Sequence, residues 1–199
     1  MNNGQVRQNI VGVNILLTYF NYFLTYSFLG FLLETVFSFF VKGRLESRKC
    51  FLISALCPVY GLGAIAINES TKKISYSKTK TFFVGMLAAT TVELLTDLFY
   101  KYVLGMRFWD YSKRPFNLWG SVCLKYSLSW GLLSLLLVYV VHPYVNKHIG
   151  KVKKGTSYAF MLLFISDSII SAFLLRKFRT KHAVNYAWIR KAIRSSWHA

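Results

Sequence analysis

The sequence predicts an all-α, polytopic integral membrane helix bundle of about five transmembrane helices plus one interfacial or re-entrant aromatic segment. Three observations carry this. Apolar runs of about 20 residues, the length that crosses a hydrocarbon core, recur along a 199-residue chain that is 54% hydrophobic. The charge is lopsided, 25 Lys+Arg against 7 Asp+Glu for a net +18. Nearly all of the basic residues fall in short loops or tails beside the apolar runs, as membrane insertion and anionic headgroups require, so the charge points to a lipid bilayer and not to nucleic acid. Finally, Glu34, Glu93, Asp97 and Asp167 lie inside apolar runs. A carboxylate at mid-membrane costs roughly 2.5–3.5 kcal/mol on insertion scales, so such groups face a protein interior or a water-filled cavity.

The elements follow in order. A polar arm, residues 1–13, precedes a transmembrane domain, residues 14–176, and a basic tail, residues 177–199. The first apolar run goes from about Asn14 to Val41 and is too long for a cleaved signal peptide, with no A-x-A-like site after it. Lys42, Gly43 and Arg44 end it, and Glu46, Arg48 and Lys49 complete a polar loop. The second run, about Phe51 to Asn68, contains Pro58, Tyr60, Gly61 and Gly63. Proline removes a backbone donor and glycines add freedom, so this span is expected to be kinked or partly unwound, with these four residues as its hinge. A lysine-rich loop from Glu69 to Lys80 leads to the third run, about Thr81 to Leu104.

The stretch Phe108–Trp119 is too polar to span and too aromatic for an ordinary loop. It is expected to lie in the headgroup region or dip back from it, as an interfacial belt or as a lid or docking elbow. Trp109, Asp110, Arg114 and Asn117 are its candidate functional residues. The fourth run is about Val122 to Val145, and Asn146 to Gly155 form another basic loop. The fifth, about Ser157 to Leu175, is expected to be interrupted by Ser166, Asp167 and Ser168. With five spans, the basic residues favour an N-terminus outside and a cytoplasmic C-terminus, by a small margin.

Two small-residue stripes suggest how the helices pack. Tyr22, Tyr26, Gly30, Glu34 and Ser38 recur every four residues in the first run, and Gly85, Ala89, Glu93, Asp97 and Lys101 do so in the third. That spacing puts each set on one helix face. Ser127, Gly131 and Ser134 with Trp130 offer a third face, and small residues at such spacing mark packing faces in bilayers. The three are expected to meet and enclose Glu34 and Glu93. These acids then either pair with a cation (Arg48, Lys101, Arg107, Arg114 and Lys125 are available) or form a buried polar site or substrate path with Asp97, Tyr26, Ser127 and Lys125. Asp97 is expected to be satisfied by Lys101, one turn on. His142, before Pro143, reads as a capping or interfacial residue.

Other chemistry is absent. Cys50, Cys57 and Cys123 have neither the spacing nor the number for a zinc site or a disulfide framework, so they are expected to be buried or interfacial thiols. No metal site and no cofactor is expected. There is no GxxxxGK[ST], the glycine and lysine of Gly150–Thr156 being wrongly spaced, and neither HExxH nor GxSxG occurs.

Several segments together resemble a known family. They are Tyr26-Ser-Phe-Leu-Gly30 with Glu34-Thr35, then Phe51-Leu52 with Cys57-Pro58-Val-Tyr60-Gly61-Leu-Gly63, then Glu93. The longest block is Trp109-Asp110-Tyr111-Ser112 with Arg114-Pro115-Phe116-Asn117-Leu118, Gly120, Cys123-Leu124, Ser127 and Trp130-Gly131. The stretch from about residue 22 to about 145 is similar to the family named "putative ABC-transporter type IV", the CmpB-type permeases of mainly Gram-positive bacteria. The chain departs from that pattern at Cys50 and Ser54, where the family often has glycine, and at Ala55, where it often has proline. Lys125 is an added charge, readable as a counter-ion for a buried acid.

The resemblance implies a permease subunit, not itself an enzyme, that moves a small solute with a separate nucleotide-binding ATPase. One chain of 199 residues encloses little volume, so a homodimer or larger assembly is expected. Two other classes remain open. One is a membrane-embedded enzyme acting on a lipid or polar metabolite, with Glu34 or Glu93 as general base and His142 or Arg114 as helper. The other is a non-transporting scaffold or sensor.

Overall fold

A computed structural model describes residues 3–43, 51–185 and 194. The expectations for Arg44 to Cys50, and for the tail past residue 185 except Arg194, lie outside the described residues. Helix α1 (Asn3–Lys42) includes most of the polar arm. Short α2 (Pro58–Thr71) follows, then α3 (Lys78–Phe99), which runs on through a π turn, Tyr100–Leu104. Helix α4 (Leu124–Leu136), a π turn (Leu137–Val141) and α5 (His142–Ile149) form one rod, and α6 (Lys154–Phe178) completes the bundle. The protein is an all-α membrane bundle.

Four helices are long and apolar enough to cross a bilayer: Gly12–Phe40, Lys78–Leu104, Leu124–Ile149 and Lys154–Phe178. The expected second span is different. Residues 51–57 are irregular, and the 14 residues of α2 rise only about 21 Å against a hydrocarbon core of about 30 Å. Nor is α2 unwound. Pro58 takes the first helical turn, where a missing N–H costs nothing, and starts the helix instead of bending it.

Irregular backbone at membrane depth requires partners for its polar groups, and α6 supplies them. Asp167 Oδ1 accepts the Ile53 N–H and Oδ2 accepts the Ser54 N–H, both at 3.1 Å. The Ser171 hydroxyl donates to Asp167 Oδ1 at 2.9 Å. From α1, the Ser27 carbonyl accepts the Cys57 N–H at 3.0 Å. Asp167 therefore does not mark an interruption. Its charge is turned toward residues 53 and 54, the Ser168 hydroxyl bonds back to the Phe164 carbonyl at 2.7 Å, and α6 runs unbroken.

Neighbouring helices pack in the order α1, α2, α3, α4. At the α1–α2 crossing a Cβ on Gly30 would collide with the Tyr60 ring, and one on Gly61 with Ser27 and the Phe23 carbonyl. Two glycines therefore set how closely these helices approach. Gly85 against Ser134 does the same for α3 and α4. The stripes Tyr26, Gly30, Glu34, Ser38 and Gly85, Ala89, Glu93, Asp97 are buried, while Lys101 is exposed. The rod from α4 to α5 contains Pro143, which lacks the N–H for a bond one turn back. The π turn just before it accommodates the gap.

Residues 105–123 form a compact cap over the end of α3. Gly105, with φ +70°, ends the helix in the left-handed conformation, and a two-stranded ribbon, β1 (Asn117–Leu118) with β2 (Val122–Cys123), closes the cap. Trp109 Nε1 donates to the Ser121 carbonyl at 2.8 Å and Asn117 Nδ2 to the Arg114 carbonyl at 2.8 Å. Cys57 is disulfide-bonded, with its partner outside the described residues, and Cys123 is a free buried thiol. This corrects the expectation of unpaired thiols. Sequence spacing does not report the separation of two sulfurs in space, which decides whether they bond.

Candidate functional site

Helices α1 and α4 flank a cleft whose two ends differ. Toward the start of α1 the cleft is closed, α1 being tied to α5, the continuation of the α4 rod. Tyr26 Oη and His142 Nδ1 lie 2.6 Å apart, the Tyr22 hydroxyl donates to Asn146 Oδ1, and Tyr19 donates to Glu69 of α2 at 2.8 Å. Toward the cap the helices separate around a cavity of about 560 Å³. Leu33, Glu34 and Phe37 line it from α1, Tyr60 from α2, and Tyr126, Ser129, Trp130 and Leu132 from α4. Phe108 to Tyr111 and Lys181 stand at its capped end.

The two acids singled out in the sequence meet here from different helices. Glu34 is 5% exposed and Glu93 is 1% exposed. Tyr60 Oη donates to Glu34 Oε2 at 2.7 Å, the only hydrogen bond to Glu34 among the described residues. Glu93 is held from two sides, by Tyr111 Oη at 3.1 Å and by Trp130 Nε1 at 2.9 Å. The Tyr60 and Trp130 rings, 5.3 Å apart, connect the two carboxylates, and Tyr111 stacks on Tyr126 at 4.7 Å. Glu34, buried beside a neutral phenol donor and ring faces, is set up to receive a positive charge.

The other candidates are distributed as follows. Asp97 is fully buried but belongs to the cap's attachment. Arg107 Nη2 pairs with its Oδ2 at 3.0 Å and the Ser121 hydroxyl donates to it at 2.6 Å. This corrects the expected Lys101 partner: the turn at Gly105 brings Arg107 back over α3, while Lys101 lies beside the Tyr102 ring. Lys125 is exposed and forms no ion pair among the described residues. Ser127 is buried on the α3-facing side, and Tyr26 sits at the closed end of the cleft. Gly63 meets nothing that a Cβ would touch.

Within the cap the segment divides by face. Trp109 and Tyr111 point inward, while Phe116, Leu118 and Trp119 are exposed on the outside, with Arg114 also exposed. Asp110 lies on the surface. The Ser112 backbone N–H, then its hydroxyl, and Arg107 more weakly, hold its carboxyl below the usual carboxylate range. Among the described residues no cluster of His, Cys, Asp or Glu could hold a metal ion.

Sequence reasoning missed the donors Tyr111 and Tyr60, the Arg107–Asp97–Ser121 tie, and the partners of Asp167. An i, i+4 stripe reports a helix face but not which loop folds back onto it, and no periodic signal could have assigned these pairs.

Fold and cavity together define a multi-pass helical membrane protein with a buried acidic site open at one end. The family model described as "Putative ABC-transporter type IV" matches residues 21–173, well over half of the 199 residues. The chain belongs to that family. Comparison with curated proteins and with solved structures finds no match.

Proposed function

We propose that this protein is the membrane-spanning permease subunit of an ATP-driven transporter, and that the solute passes through the cavity between α1 and α4. The observation that supports this most directly is Glu34, a buried carboxylate on the wall of a cavity of about 560 Å³, with Glu93 buried behind the lining residues Tyr111 and Trp130. That volume is within the range of small-molecule sites. Glu34 and Glu93 bind or brace the path, the tie at Tyr26 and His142 closes its far end, and the family membership supplies the transporter context. The chain has no P-loop, so a separate nucleotide-binding subunit hydrolyses ATP. It docks on the cytoplasmic face, through the first loop or the outer face of the cap. One chain encloses little volume, and a homo-oligomer completes the pathway.

The experiment is affinity purification of the tagged protein in mild detergent, wild type beside Glu34→Gln/Glu93→Gln. A stoichiometric ATPase partner supports the permease reading, and loss of solute-stimulated hydrolysis in the variant places the acids on the path. An intact preparation without any such partner counts against it.

Orientation has two readings. Basic residues favour the cap end as cytoplasmic, which leaves the N-terminus outside. The Cys57 disulfide favours the reverse, because disulfides persist on the oxidising side of a membrane. Labelling a C-terminal tag from outside intact cells decides between them. The enzyme reading is weakened by geometry, since His142 pairs with Tyr26 at the closed end and Arg114 is exposed on the cap.

A further inference from the structure

We infer that the cavity selects an amphipathic organic cation, an ammonium group carrying an alkyl chain, and receives it sideways from the bilayer. This rests on reading the cavity as a binding site and names the class of ligand it takes.

Charge comes first. Glu34 is more than nine-tenths buried, its hydrogen bond comes from a neutral phenol, and no Lys or Arg among the described residues pairs with it. Lys181, at the mouth, is exposed and pairs with neither acid. Neutral donors orient a carboxylate but leave its charge uncompensated, so a bound cation gains more there than in water. An anion would meet the Glu34 carboxylate and no buried base among the cavity's lining residues.

Shape and surface come second. Tyr60 and Trp130 stand 5.3 Å apart beside Glu34, and Tyr111 and Tyr126 stack next to them at 4.7 Å. Aromatic faces attract a poorly hydrated ammonium, whereas a bare metal ion requires several oxygen ligands, which this wall does not offer. The rim is the third observation. Leu33, Phe37 and Leu132 border the cavity and are 40%, 48% and 64% exposed on helices that span the membrane. They therefore face hydrocarbon. A ligand with its head at Glu34 would leave its chain between Leu33 or Phe37 and Leu132, within the bilayer.

The test uses the full chain purified in dodecyl maltoside, with no ATPase partner, and titrates decyltrimethylammonium by calorimetry. Three controls are its neutral carbon-for-nitrogen isostere, tetramethylammonium and decyl sulfate. Saturable binding of the decyl cation, about tenfold or more tighter than its isostere, is the expected result; tenfold corresponds to about 1.4 kcal/mol. Tetramethylammonium should bind more weakly, for want of the chain, and decyl sulfate should not bind. Glu34→Gln should remove the preference for the cation over the isostere while leaving the melting temperature unchanged. Trp130→Leu should reduce it.

Equal binding of cation and isostere, or tighter binding of decyl sulfate, overturns the proposal. So does a Glu34→Gln protein that stays folded and keeps the full preference. If Glu34→Gln does not fold, Tyr126→Leu at the cavity wall carries the same test. Because no ATPase is present, this inference and the permease reading can fail separately. Cation binding without any ATPase partner sinks only the latter, and an ATPase-coupled protein blind to the decyl cation sinks only the former.

Discussion

Trp130 and Tyr111 reach Glu93 from two elements that are remote in sequence, and each supplies what the apolar surroundings lack. Removing one donor from a buried carboxylate costs about 1–3 kcal/mol. Trp130→Phe, which keeps the ring, is therefore expected to lower the thermal midpoint in detergent by that equivalent. A second residue-scale expectation concerns pH. Asp110 is held below the ordinary carboxylate range by Ser112. A group whose folded value is depressed contributes stability that is present above its unfolded value, about 3.9, and lost as pH falls through the folded one. Acidification below about pH 4 should therefore loosen the cap, read as a shift in Trp109 and Trp119 emission, and Asp110→Asn should flatten that response.

At the scale of elements, the irregular stretch 51–57 depends on side chains of α6 for partners to its backbone. Asp167 accepts two of its N–H groups, and the Ser171 hydroxyl oxygen shares that of Ile53 at 3.1 Å. Asp167→Ala leaves the Ser54 N–H to find a new partner in a medium without water and the Ile53 N–H with Ser171 only, and a destabilisation of about 1–3 kcal/mol is expected. Faster hydrogen exchange confined to the amides of Ile53 and Ser54 would locate the effect, whereas uniform loosening of all helices would contradict this assignment. The two glycines Gly30 and Gly61 act at the same scale. Their missing side chains let α2 sit deep enough against α1 for Tyr60 to reach Glu34. The family motif around Cys57, Pro58, Tyr60 and Gly61 thus reads as a docking element rather than a hinge.

For the whole molecule, the cleft between α1 and α4 is closed at the Tyr26–His142 end and open at the cap end. Under the permease reading proposed above, these states must exchange. On that reading, spin labels at Leu33 and Leu132, both exposed at the cavity rim, should approach each other when the proposed ATPase partner binds nucleotide. Labels at exposed positions near Asn146 should separate. A fixed Leu33–Leu132 distance through the cycle would favour the scaffold reading.

The sequence by itself determined the membrane class, the positions of the long helices and the burial of Glu34 and Glu93. Each of these follows from local quantities: run length, a four-residue period and the cost of a charge in hydrocarbon. Only the tertiary structure decided that α2 is short and regular, that Asp97 belongs to Arg107, that Asp167 anchors residues 53 and 54, and that α1 and α4 separate at one end. These depend on which segment folds back onto which helix. At Gly105 and at residues 51–57 the chain reverses, and the partners it brings together are 10 residues apart for Asp97 and Arg107 and 114 for Ile53 and Asp167. No helical period relates residues across such a reversal, because the period ends where the helix does.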